Sequence, residues 1–102
     1  MTLKVEALRC FCTVAETGNL ADAADRLGRT QAAISMTLKQ LEDQLGSPLF
    51  EGTRKNRLSP LGEQIFTLGS NQLRQLDSTI QAIKDSASAP QGLLRIAAVP
   101  SV

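Results

Sequence analysis

The chain has no histidine, no tryptophan and no tyrosine, and only two cysteines and three phenylalanines among 102 residues. Without histidine, the usual nitrogen and sulfur ligand set of a zinc site is missing, and so is the commonest neutral-pH acid–base group. Cys10 and Cys12 stand two apart on a predicted helix, where side chains diverge by about 200°, so they cannot clasp one metal or pair with each other. They read as small core or boundary residues in a reducing compartment, with a cysteine-based sensor as the alternative. No glycine-rich phosphate loop or nucleophile motif occurs, and Asp and Glu fall mainly on helix surfaces, which leaves catalysis without machinery. No hydrophobic run reaches membrane-spanning length, and the start lacks the basic and apolar segments of a signal peptide, so a cytoplasmic protein without membrane partner is expected. The formal net charge is only +1.

What is present is the composition of a small soluble fold. Hydrophobic residues make up 42% and charged residues 21%, enough for one compact core filled by Leu, Ile and Ala. Charge is unevenly placed. Between Glu51 and Glu63, Arg54, Lys55 and Arg57 form a positive tongue with no acidic residue among them.

Leu8, Phe11, Cys12 and Ala15 recur at helical spacing and predict a first helix from about residue 3, capped by Thr2, to Thr17, with Gly18 as its stop. Asn19 then caps a short helix in which Leu20, Ala23, Ala24 and Leu27 share a face and Asp22 stands at the capping-partner position. Gly28 ends it. Thr30 caps a third helix, Gln31 to Leu45, with Ile34, Leu38, Leu41 and Leu45 as its buried stripe and Gly46 beyond. Leu49 and Phe50, the basic tongue and Leu58 make a small hairpin pattern. Ser59 and Pro60 open one long helix to about Ala87. "SASAPQG" reads as a linker and "LLRIAAV" as the first strand of a further domain. The fold class is mainly α, a winged helix-turn-helix followed by a long dimerisation helix. Its parts are 1–59, 60–88 as the linker helix, and 89–102 as hinge and first strand.

A helix-turn-helix needs a small residue where the helices touch, a glycine in the turn and an apolar plug early in the second helix; Ala24, Gly28 and Ile34 satisfy all three. An alanine-rich structural hairpin is the plainer alternative. The outer face of the third helix separates them. Ala32, Ser35, Met36 and Lys39 lie opposite the apolar stripe with Gln31 at the rim, a face too short and too little charged for an idle solvent surface. Such a face can approach base edges in a major groove: Gln can bond adenine twice, Ser can donate or accept, and Ala can touch a thymine methyl. Thr30 with the helix N-terminus, Lys39, and Arg54, Lys55 and Arg57 on the wing are the candidate phosphate contacts.

Along the long helix, Gly62, Phe66, Gly69, Leu73, Leu76, Ile80, Ile83 and Ala87 alternate by four and three, the seam of a coiled coil with a second chain, with a single amphipathic helix folded onto its own chain as the alternative. Leu61, Ile65 and Leu68 form another stripe, expected to pack on the preceding domain. A dimer presents two recognition helices about 34 Å apart, or a multiple of that. A dimeric adaptor that binds protein through its alanine-rich face is the competing function.

"LRCFCTVAETGNLADAADRLGRTQAAISMTLKQLEDQLGSPLFE", then "RLSPLGE" and a long helix, resembles the N-terminal portion of LysR-type transcriptional regulators over nearly the whole chain. The resemblance implies a transcription factor that binds an interrupted inverted repeat at promoters through Gln31, Ala32 and Ser35. It implies a homodimer, with tetramers at full length and RNA polymerase as candidate partners. It also implies a small-molecule inducer held by a C-terminal domain, of which "LLRIAAVPSV" resembles the first strand; no cofactor is expected for the chain itself. Met36 departs from the arginine common after the family's serine, the arginine that usually follows "LFE" is missing, and the wing is shorter. Arg54 matches the basic wing position.

Overall fold

The computed structural model describes residues 2–88, in which four helices follow one another: α1 (Val5–Thr17), α2 (Leu20–Leu27), α3 (Gln31–Leu45) and α4 (Pro60–Ser88). The hinge and strand expected at 89–102 lie outside the described residues. The chain divides into two units, Met1–Asn71 and Gln72–Val102, the boundary falling within α4.

In the first unit α1, α2 and α3 pack against one another pairwise. Phe11, Val14, Ile34, Leu41 and Leu49 are its largest fully buried side chains. With so few aromatics, Phe11 and Phe50 meet edge to face, ring centroids 5.5 Å apart, which ties the base of the wing to the centre of α1. Both cysteines are buried in this core as free thiols, as their helical placement predicts.

Capping decides the helix boundaries. Asn19 Oδ1 accepts from the Asp22 amide at 2.8 Å, and Asn19 Nδ2 donates to the Asp22 carboxylate at 2.9 Å. Thr30 Oγ1 accepts from the Ala33 amide at 3.1 Å. The start of α1 differs from expectation. It begins at Val5, Lys4 holds the cap position without a side-chain bond, and the Thr2 carbonyl instead accepts from Gln44 Nε2 at 3.2 Å. With the helix starting three residues after Thr2, the Thr2 hydroxyl is too far back along the chain to cap it.

The wing is minimal: among the described residues it is one antiparallel bridge, Phe50 with Leu58. Glu51 donates to the Arg57 carbonyl at 2.9 Å and Ser59 to the Leu49 carbonyl at 3.0 Å. Ser59 also works through its side chain, accepting from the Gly62 amide at 3.0 Å and donating to the Pro48 carbonyl at 2.8 Å. It therefore caps α4 and closes the wing at once.

The inward face of α4 in the first unit is not the one the hydrophobic pattern selects. Leu68 is 69% exposed, and Leu61 and Ile65 are only half-buried. The buried positions are Gly62 and Gly69: a Cβ on Gly62 would run into the Leu49 backbone, and one on Gly69 would crowd the movable side chains of Leu8 and Cys12. Phe66, between them on the same face, is half-buried. At the front of the expected seam, Gly62 and Gly69 thus face the chain's own core, where so close an approach of the helix leaves little space for a side chain. In the second unit Leu73 is buried, whereas Leu76, Ile80 and Ile83 are exposed apolar residues.

Candidate nucleic-acid interface

The turn between α2 and α3 closes by two bonds: Arg29 N–H to the Ala24 carbonyl at 3.0 Å and Gly28 N–H to the Asp25 carbonyl at 3.3 Å. This six-to-one and five-to-two pair demands a left-handed residue, and Gly28 supplies it at φ 67°. Ala24 is buried at the crossing and Ile34 is fully buried one turn into α3. Cys10 Sγ lies 3.9 Å from the Ile34 carbonyl, so α1 supports the same point from beneath. The three sequence criteria for a helix-turn-helix thus meet at one corner.

With the stripe of Ile34, Leu38 and Leu41 held in the core, the remaining sides of α3 face solvent. Gln31, Ala32, Ser35, Met36 and Lys39 are all exposed, and no acidic residue occupies the first turn. Thr30 is exposed and committed to the cap. The first-turn N–H groups beyond its reach lack intrahelical acceptors, which makes this helix start attractive to an anion.

The wing residues divide. Arg54 and Arg57 are exposed, and the Arg54 amide donates to the Glu51 carbonyl at 3.2 Å in the turn. Lys55 is half-buried and its Nζ sits 5.0 Å from the centroid of the Phe50 ring, a cation–π contact that folds it over the wing base. Nothing in the sequence pattern distinguishes it from its two neighbours. Two further arginines of this unit are already engaged: Arg26 pairs with Glu16 at 3.0 Å and Arg29 with Glu6 at 3.1 Å. Both pairs are exposed and contribute little to stability, but they draw local positive charge away from α2 and the turn. A link that sequence reasoning misses joins α3 to the wing: the Glu42 carboxylate accepts from the Leu49 amide at 2.7 Å.

The thiols are unsuited to exposed chemistry. Burial, with Glu16 next, pushes Cys12 up to about 11, and burial likewise raises Cys10, so both are protonated at neutral pH. Among the described residues no helix is long and apolar enough to cross a membrane.

Residues 5–63 match the family described as bacterial regulatory helix-turn-helix protein, lysR family. The small neutral protease regulatory protein of Streptomyces coelicolor is 32% identical over 102 residues, 99% of this chain and 31% of that protein. The transcriptional regulator DgdR of Burkholderia cepacia is 39% identical over 80 residues, 78% of this chain and 27% of that protein. The chain therefore spans about a third of the length of these relatives. Among solved structures, the BenM DNA-binding domain in complex with benA site 1 DNA superposes with a TM-score of 0.74 at 29% identity, covering 86% of this chain and all of that one. Full-length OxyR from Pseudomonas aeruginosa, in a variant form, gives 0.75 at 28% identity, covering 88% of this chain and 30% of that one. A helix-turn-helix closed by Gly28, a one-bridge wing and a long following helix, matched in sequence across residues 5–63, place this chain in the LysR family of DNA-binding bacterial transcriptional regulators.

Proposed function

We propose that the chain binds promoter DNA in a sequence-specific manner by laying the front of α3 in a major groove, as a homodimer on an interrupted inverted repeat. The observation that carries this is the outer face of α3: small or uncharged side chains, all exposed, at a capped helix start with exposed arginines on the adjoining wing. Gln31, Ala32, Ser35 and Met36 meet base edges, while Thr30, Lys39, Arg54, Lys55 and Arg57 meet phosphates. That the similar BenM DNA-binding domain is solved in complex with DNA supports a DNA-binding role for this fold. Residues 1–59 form the DNA-binding part and 60–88 the linker helix, whose exposed Leu76, Ile80 and Ile83 pair with a second copy. A small-molecule inducer bound by an effector domain, RNA polymerase as a contact, tetramers of the whole regulator and a cytoplasmic site of action complete the proposal.

Titration with duplex DNA at several salt concentrations tests it. Log affinity should fall with log salt at a slope of about −0.9 per phosphate neutralised, several per dimer. Gln31→Ala should weaken the preferred site by about 1–3 kcal/mol and relax its specificity. A salt-independent or absent response favours the protein-binding adaptor, for which the alanine-rich face is a docking surface.

A further inference from the structure

The largest side chain at the centre of the outer face of α3 is one with almost no hydrogen-bonding capacity. Taking Ile34, Leu38 and Leu41 as the inward direction and the helical repeat of about 100° per residue, Met36 points within about 15° of straight outward, Ala32 within about 25°, and Ser35 about 85° to the side. Met36 is 64% exposed. A helical side chain leans over the preceding turn, which here offers only Ala32 and Ala33, both exposed. The thioether thus projects furthest from a floor of methyl groups, and its own fold leaves it largely uncovered.

We infer that Met36 is a specificity-determining residue that selects thymine by its C5-methyl group. The inference rests on the groove-insertion reading above. In a major groove every base edge presents hydrogen-bonding atoms, and the thymine methyl is the one apolar group on display. A thioether pressed on the N7 and O6 of guanine, or on an exocyclic amine, strips those atoms of water and returns no bond. Set against a thymine methyl, it buries apolar surface on both sides. Its three rotatable bonds and polarisable sulfur let it settle on that methyl without a rigid fit. Gln31 and Ser35, on the flank, read adjacent positions by hydrogen bonds, so the two kinds of recognition divide the site between them.

The experiment begins with selection of preferred duplexes from a randomised pool by the purified protein. Each thymine of the selected half-site is then replaced in turn by deoxyuridine, which differs only in lacking the methyl, and wild-type and Met36→Ala binding are compared. One thymine should show a loss of about fourfold in the wild type, the worth of one buried methyl group, and no loss in Met36→Ala. A thymine touched by Ala32 loses affinity in both proteins and is thereby told apart. Repeating the selection with Met36→Arg should turn the preferred base at that position to guanine. If a defined sequence is selected but no thymine shows a loss that Met36→Ala abolishes, the inference is overturned and the groove-insertion reading stands. If the pool yields no preferred sequence, that reading falls and the inference with it. Equal thermal midpoints of the wild type and Met36→Ala exclude a folding defect as the source of the difference.

Discussion

Replacing Gly62 by alanine drives a methyl group into the carbonyl oxygen of Leu49, with the Leu49 carbonyl carbon at 3.1 Å and Leu58 Cβ at 3.4 Å. That carbonyl is not free to turn, because it accepts from the Ser59 amide at 3.0 Å, and Ser59 also caps α4 through the Gly62 amide. Overpacking typically costs about 1–3 kcal/mol, and a fixed backbone obstacle sets this case near the upper end. Alanine in place of a helical glycine returns at most about 1 kcal/mol. The net destabilisation is about 2 kcal/mol, a fall in Tm on the order of 10 °C for a domain of this size. Gly69→Ala is the matched control: its Cβ meets Leu8 Cδ1 at 2.7 Å, Leu8 Cγ at 3.1 Å and Cys12 Sγ at 3.2 Å. These are side-chain atoms, and a leucine end can rotate, so the helix gain nearly offsets the crowding and the net change stays within about 1 kcal/mol. Urea and thermal unfolding followed by circular dichroism measure both variants. If Gly62→Ala equals the wild type, or if Gly69→Ala is the more damaging, the inward face of α4 is wrongly assigned.

Three other outcomes follow from particular side chains. Arg54→Ala should weaken all duplex sequences alike and lower the salt slope by about one, since an exposed wing arginine neutralises a phosphate and reads no base; a change in sequence preference rejects this. Ile80→Asp should give monomers in sedimentation, and a persisting dimer removes the exposed part of α4 as the pairing surface. Cys12 loses its proton at about 11 in the folded chain against 9.0 as its ordinary value. The unfolded chain therefore ionises first, and stability is unaffected below pH 9 and declines between pH 9 and 11. Cys12→Ala should flatten that part of a stability–pH curve from denaturant titrations, and an equal slope in both proteins contradicts the assignment.

Features written within a few residues are legible in the sequence alone. Asn19, Thr30 and Ser59 cap as expected and Gly18, Gly28 and Gly46 stop their helices, because each needs only its immediate neighbours. The helix-turn-helix corner is legible for the same reason, since Ala24, Gly28 and Ile34 sit in one short span. The inward side of α4 is not. A pattern argument ranks positions by apolar content and so chooses Leu61, Ile65 and Leu68, while docking turns on Gly62 and Gly69, which carry no hydrophobic signal. The start of α1 at Val5 departs from its local signal, the bond from Gln44 to the Thr2 carbonyl joins residues far apart in the chain, and the position of Lys55 over Phe50 depends on where the wing folds. The outward face of α3 lies between these cases: periodicity sets its membership, and only the packed core makes Met36 its summit.

Ser59 closes the wing at its base through both its amide and its hydroxyl, and this separates the tip from the scaffold. Everything between the Glu51 and Arg57 rung is a loop whose ends are already held together. Lengthening such a loop costs only about 0.6 kcal/mol per doubling. Residues can therefore be added or removed around Gly52 and Thr53 at little cost to the packed scaffold beneath, so the length of the tip is free to vary independently of the helices.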